Sequence, residues 1–442
     1  MPVHASGFHG LGGFHFFADR GATVTLSAVK NSTSFVRRNT VRLTRGMRDV
    51  WLIAGVTLVL LVLIEVAYRT QQAIRATIAE RSKSRTKDIP PNPFDSTAWA
   101  KRYLVEKERE EAVVWEPYVY IRNPTFQGKF ISVDSSGHRI TPLQSPTATK
   151  LLRVFFFGGS TMFGWFQRNE NTIPAEATRQ LQAILGNTAR VEPTNFGVPG
   201  RTFTQEIIEL MLQLRAGARP DIVVFYDGIN DVMATVQDGK AGIPQNESNR
   251  VEDFARGRKL GGQLPDGFWN DIKTAKRVAM RFVARSGFVR GIEAHVSAGA
   301  PPPFLISTDS ATRSILHMYS SSAQIVEGLA KSYGFKVIYV WQPALFSTTK
   351  PLTRREKWAA SLGDGDPAIA RIKDVHRAVP RLIGDTLSLL LGSRFADETN
   401  LFSDDSLDVY VDLFGHTYER ANPRIVAAFM PLLSAAALRV RH

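Results

Sequence analysis

Apolar and polar positions follow three successive regimes along the chain. From Val50 to Ile64 (VWLIAGVTLVLLVLI) the sequence is apolar apart from Thr57, and only Glu65 separates this run from Val66-Ala67-Tyr68. At about 1.5 Å per residue Val50–Tyr68 spans about 28 Å, close to the hydrocarbon thickness of a bilayer. The pattern predicts a single N-terminal transmembrane helix over residues 49–68. No small-x-small cleavage pattern follows it, which disfavours a signal peptide. Residues 1–48 lack sustained periodicity and end in a basic cluster from Arg37 to Arg48, so they read as a disordered basic tail. Residues 69–96 are polar and helix-prone until Ile89-Pro90-Pro91-Asn92-Pro93 stops any helix, the pattern of a stalk and stiff linker.

Beyond residue 97 the periodicity becomes that of a folded domain. Val113-Val114-Trp115 and Tyr118-Val119-Tyr120-Ile121, with a turn at Asp134–His138, predict a small β-rich preface over 97–149. Strand-like runs then alternate with helical ones: strand Leu152–Phe157, helix Ile173–Leu185, strand Ala189–Phe196, helix Thr204–Leu214 and strand Asp221–Tyr226. Residues 235–305 lose the alternation and read as an insertion or lid with one amphipathic helix at Asp271–Arg285. Regularity returns with helix Thr312–Ser332, strand Lys336–Trp341, helical sequence over 353–392, a last strand at Leu407–Val411 and helix Asn422–Leu438. This alternation predicts an α/β domain over 150–442 whose mostly parallel sheet is covered on both faces.

Composition changes the picture only in places. The absence of cysteine excludes disulfides, thiolate catalysis and cysteine-ligated zinc. The net charge of +14 suggests nucleic acid at first, but residues 1–96 hold thirteen Lys or Arg against six Asp or Glu, a net of +7. Half of the excess therefore flanks the apolar run. No zinc-finger spacing or aromatic RNA-binding motif accompanies it, so a lipid bilayer is the expected partner and nucleic acid is not. Both flanks of the span are basic, so charge does not choose an orientation. A long domain after a single span is most simply translocated, which places the bulk of the protein outside the cytoplasmic membrane.

Three predicted strands end in small, sharply turning sequence: Gly158-Gly159-Ser160, Asn195-Phe196-Gly197-Val198-Pro199-Gly200 and Gly228-Ile229-Asn230-Asp231. In an open α/β sheet these ends share one edge, where ligands bind. Read alone, Gly-Gly-Ser-Thr is a strand-to-helix turn in which Ser160 merely caps. Read with the other two turns, Ser160 becomes a candidate nucleophile, with its own N–H, the N–H of Gly200 and the Asn230 amide as oxyanion donors. Among the histidines, His416 alone follows a strand-like run, in a Gly-containing turn four residues after Asp412. It is the candidate base, with Asp412 to hold its tautomer. A nucleotide-binding reading fails, because neither Gly-x-x-x-x-Gly-Lys nor Gly-x-Gly-x-x-Gly follows the first strand.

Together these blocks resemble the SGNH or GDSL hydrolase family, whose four hallmark positions fall on Ser160, Gly200, Asn230 and His416. The chain departs from the family pattern twice. It has Gly-Gly-Ser-Thr in place of Gly-Asp-Ser, and it spaces Asp412 and His416 one residue wider than Asp-x-x-His, which leaves Asp408 as an alternative acid. The resemblance implies a flavodoxin-like three-layer α/β/α fold and serine esterase chemistry that uses no metal or cofactor. For a membrane-tethered, outward-facing member it implies an O-acyl or O-acetyl ester, with an acylated glycan of the cell surface or an exported one as substrate. Two other readings remain open: an O-acyltransferase using the same residues, and a non-catalytic glycan-binding protein on the same fold.

Overall fold

A computed structural model describes residues 97–109, 113–142, 148–251 and 306–440, together with most positions between 50 and 70. The expected tail at 1–48, most of the stalk and the helix expected at Asp271–Arg285 lie outside the described residues. The chain divides into two units, 1–81 with 276–295 and 82–275 with 296–442. In the first unit the described positions between 50 and 70 are helical, and Trp51, Ile53 and Leu63 are exposed.

The second unit opens with helix α1 (Ala100–Arg109), which the β-rich expectation for 97–149 did not include. Two antiparallel pairs follow, β1 (Val114–Glu116) with β2 (Tyr120–Arg122) and β3 (Phe126–Gln127) with β4 (Ser132–Val133). The main sheet begins with β5 (Leu151–Gly158), which runs into the short helix α2 (Ser160–Phe163). Next come α3 (Ile173–Leu185), β6 (Arg190–Asn195), α4 (Phe203–Arg215), β7 (Ile222–Asp227) and α5 (Ile229–Asp238). Then follow α6 (Thr308–Tyr333), β8 (Lys336–Trp341), α7 (Arg354–Ser361), α8 (Pro367–Ala378), β9 (Phe395–Asp397) and α9 (Asn422–Arg439).

The five long-range strands pair in parallel in the order β6-β5-β7-β8-β9. This is the doubly wound order 2-1-3-4-5. Burial explains why β5 is apolar at nearly every position. Leu152, Val154 and Phe156 pack with Leu181 of α3 and Phe429 of α9 on one face. Phe155 and Phe157 pack with Leu210 of α4 and Ile315 of α6 on the other. A strand with helices over both faces has no solvent side on which to place polar residues.

Among the described residues, the helix long and apolar enough to cross a membrane is Glu419–Arg439. Its Ile425, Val426, Phe429 and Leu433 are fully buried in the core, as in the core helix of a soluble domain.

The last strand of the sheet corrects the sequence reading. It is β9, not Leu407–Val411, which makes only one bridge, between Tyr410 and Thr417. The reason lies in where its amides go. Those of Val409 and Tyr410 donate to Oε1 of Glu356 at 2.8 and 3.2 Å. Glu356 is fully buried in an ion pair with Lys350 at 2.7 Å. A buried carboxylate thus answers the donors that a neighbouring strand would otherwise take.

Candidate active site

Ser160 is the first residue of α2, directly beyond β5, so its backbone N–H belongs to the helix terminus and has no intrahelical acceptor. The turn is braced from below: Phe163 N–H donates to Gly159 O at 3.0 Å, and Gly164 N–H to Ser160 O at 2.9 Å. Arg139, fully buried, closes the other end of α2. Its Nη1 donates to the carbonyls of Phe163 at 3.0 Å and Gly164 at 2.6 Å, and its Nη2 to that of Gln167 at 2.6 Å.

His416 Nε2 stands 2.7 Å from Ser160 Oγ. The other ring nitrogen, Nδ1, stands 2.6 Å from Oδ2 of Asp412. The second oxygen of Asp412 accepts the backbone N–H groups of Phe414 at 2.9 Å and His416 at 3.4 Å. The carboxylate therefore shapes the loop and orients the ring at once. Asp408 is placed elsewhere: its carboxylate accepts from the Thr353 hydroxyl, and its carbonyl from Arg420. Trp165 lies against the His416 ring with centroids 4.9 Å apart, and Phe166, at φ 63°, meets it edge-on at 5.8 Å. Lys107 of α1 rests 4.6 Å above Trp165.

The other two turns arrive at the same edge. Arg201 N–H donates to Val198 O at 3.2 Å, with Pro199 second in the turn and Gly200 third at φ 81°. This is type II geometry, which requires glycine at the third position. Asn230 sits in the first turn of α5. Its Nδ2 donates to Arg201 O at 2.8 Å, while its Oδ1 accepts from Gln245 Nε2 at 3.2 Å. The amide is thereby fixed at both ends, nitrogen toward the serine turn. The proximity is tight enough that a Cβ on Gly159 would lie 2.0 Å from that nitrogen.

No family model and no curated protein matches the chain. Solved structures do show similarity. A carbohydrate acetylesterase family member from Sinorhizobium meliloti is 14% identical, with 64% of this chain and 98% of that one covered and a TM-score of 0.34. A variant of Axe2, an acetyl xylan esterase from Geobacillus stearothermophilus, is 14% identical over 65% and 96%, with a TM-score of 0.32. A member of the lipolytic protein G-D-S-L family from Veillonella parvula DSM 2008 is 13% identical over 65% and 97%, with a TM-score of 0.29. At these scores the likenesses carry no argument about activity, which rests on the side chains.

Beneath the Gly200 and Asn230 turns lie three buried carboxyl groups. Asp231 accepts the N–H of Phe203 at 3.2 Å, so it ties α5 to the start of α4. Asp227 accepts from the hydroxyl of Tyr319 at 3.2 Å, and Glu206 lies in the same buried cluster. Burial, followed by the charge of neighbouring carboxylates, pushes Glu206 and Asp227 well above the usual carboxylate range. Burial lifts Asp231 to about 7 against the backbone N–H groups it accepts.

Ser160, Asn230, His416 and Asp412 are thus brought together, with the Gly200 turn joined to Asn230 through Arg201. Sequence reasoning did not assign Gln245, Asp231, Arg139 or the pair Trp165-Phe166. Only two of these carried a local signal: Asp231 adjoins Asn230, and Trp165-Phe166 is an aromatic pair five residues beyond the serine.

Proposed function

We propose that the protein is a serine esterase that cleaves carboxylic esters through an acyl-enzyme. The observation that carries this reading is the unbroken hydrogen-bonded chain from Ser160 Oγ through the His416 ring to Asp412, at 2.7 and 2.6 Å. Ser160 Oγ attacks the carbonyl carbon as its proton passes to Nε2, and Asp412 stabilises the imidazolium that forms. The carbonyl oxygen becomes an oxyanion and takes hydrogen bonds from the N–H groups of Ser160 and Gly200 and from Asn230 Nδ2. Collapse breaks the ester C–O bond and the alcohol leaves with the proton from Nε2, so the acyl group stays on Ser160. Water, losing a proton to Nε2, then attacks the acyl carbon; the carboxylic acid departs and Ser160 regains its proton. O-acyl or O-acetyl groups on a glycan are the substrate class that suits a tethered, outward-facing domain.

Ser160→Ala is expected to lower p-nitrophenyl acetate hydrolysis by on the order of 10³-fold or more, and to abolish labelling by a fluorophosphonate probe. Retained turnover in a folded variant would overturn the reading.

The exposed apolar side chains along the helix at 50–70 support a bilayer anchor at 49–68, with the esterase domain on the extracytoplasmic side. Protease added to intact spheroplasts is expected to digest that domain; full protection would reverse the orientation.

A further inference from the structure

The hairpin β1–β2 turns through Pro117, Tyr118 and Val119, and both Tyr118 and Tyr120 have positive φ, 69° and 67°. Side chains other than glycine rarely adopt that conformation, and it persists only where the surroundings impose it. Here the main domain imposes it. Gln205 Nε2, from the first turn of α4, donates to Val119 O at 2.6 Å, and Arg201 donates to Ile121 O through Nε at 3.1 Å and Nη2 at 2.6 Å. The strained hairpin holds two aromatic rings out in solvent, Tyr118 at 69% and Trp115 at 65% exposure. Trp115 lies flat on Tyr120, centroids 5.2 Å apart.

Beside the hairpin is a cleft of about 530 Å³ lined by Tyr118, Arg122, Ser136, His138, Gln213 and Arg215, among others. Two of the three guanidinium groups that line it are answered from within. Arg122 meets Glu116 at 3.1 Å and Arg201 meets Glu209 at 3.2 Å. At Arg122 and Arg201 a phosphate or carboxylate would have to displace these partners. A sugar ring needs what is present: an aromatic face for its C–H groups, and planar polar side chains for its hydroxyls. Burial also lowers the pKa of His138, outweighing Asp134, which keeps its ring neutral. The cleft adjoins the Gly200 turn, since Val198 and Arg201 line it on either side of that turn. Ile121 Cδ1 lies 4.0 Å from where a Gly200 Cβ would stand.

We propose that this cleft binds a neutral oligosaccharide chain, with Tyr118 as its stacking surface. Binding does not require Ser160 to be a nucleophile, so the inference stands or falls apart from the esterase reading. The test is saturation-transfer NMR on the full chain in detergent micelles, carrying Ser160→Ala, with cellohexaose, xylohexaose and maltohexaose as neutral probes and hexagalacturonate as an acidic one. Transfer to a neutral hexasaccharide is expected, weakened about fivefold or more in Tyr118→Ala and kept in Tyr118→Phe. Should Tyr118→Ala fail to fold, Gln213→Ala, which truncates another lining side chain, gives the same reading. Transfer to none of the neutral chains, transfer to hexagalacturonate only, or affinity unchanged by these truncations would overturn the proposal.

Discussion

Arg139 donates to the carbonyl of Gly164 at 2.6 Å, four residues beyond Ser160, and so joins the preface to the helix that carries the proposed nucleophile. Backbone carbonyls and Asn169 Oδ1 accept the protons of this buried guanidinium. Lysine has neither the reach nor the planar fork to serve these acceptors. Arg139→Lys is expected to destabilise the fold by about 2–4 kcal/mol, since buried carbonyls would lose their donors. Urea unfolding measures it, and a loss under about 0.5 kcal/mol would show that the clamp is dispensable.

Asp412 and Asp408 separate cleanly. Asp412→Asn cannot hold the Nδ1–H tautomer as a carboxylate does, so kcat on a chromogenic ester should fall by on the order of 10³–10⁴-fold with little change in melting temperature. Asp408→Asn, whose side chain faces Thr353, should leave kcat within about twofold. The reverse pattern would assign the acid to Asp408.

Gly159→Ala tests the approach of Asn230. The new methyl would lie 2.0 Å from the amide nitrogen and must displace it. The expected result is the kinetic signature of a lost oxyanion donor: kcat down by about 100-fold, worth about 3 kcal/mol, with KM for a small ester little changed. Unchanged kcat would remove Asn230 from the oxyanion site.

Asp231 makes stability depend on pH. Its folded pKa of about 7 lies above the value of about 3.9 for an unfolded aspartate, so between those limits the native state binds more protons than the unfolded chain. Stability is therefore highest at or below about pH 4 in this contribution and is lost as pH rises toward 7; Glu206 and Asp227 act in the same direction. Asp231→Asn keeps an oxygen for the Phe203 N–H without a charge to bury. The urea midpoint should fall between pH 5 and 8 in the parent protein and fall less steeply in the variant. Identical slopes would acquit Asp231.

Helix α3 and strand β8 are legible at their observed limits because local chemistry marks both ends. Thr172 caps α3, Pro174 enters its first turn and Gly186 closes it. Short polar turns after buried strands likewise made Ser160 and Asn230 readable, whereas His416 was read from a strand-like run that forms only one bridge. Tertiary contacts hid the rest. Strand β9 has three residues, too few for a period, and Leu407–Val411 looked like a strand because its amide acceptor, Glu356, lies more than fifty residues earlier. Gln245 and Arg139 act only through partners that folding brings near.

The separation of 256 positions between Ser160 and its proposed base also sets an order of events. A chain made from its N-terminus completes the turns at Ser160, Gly200 and Asn230 and all five strands of the sheet before His416 exists. Under the proposed mechanism the unfinished protein carries Ser160 without the imidazole that takes its proton. Onset of ester turnover would then act as a clock for the final docking step, reporting when the segment around His416 settles onto a sheet already built.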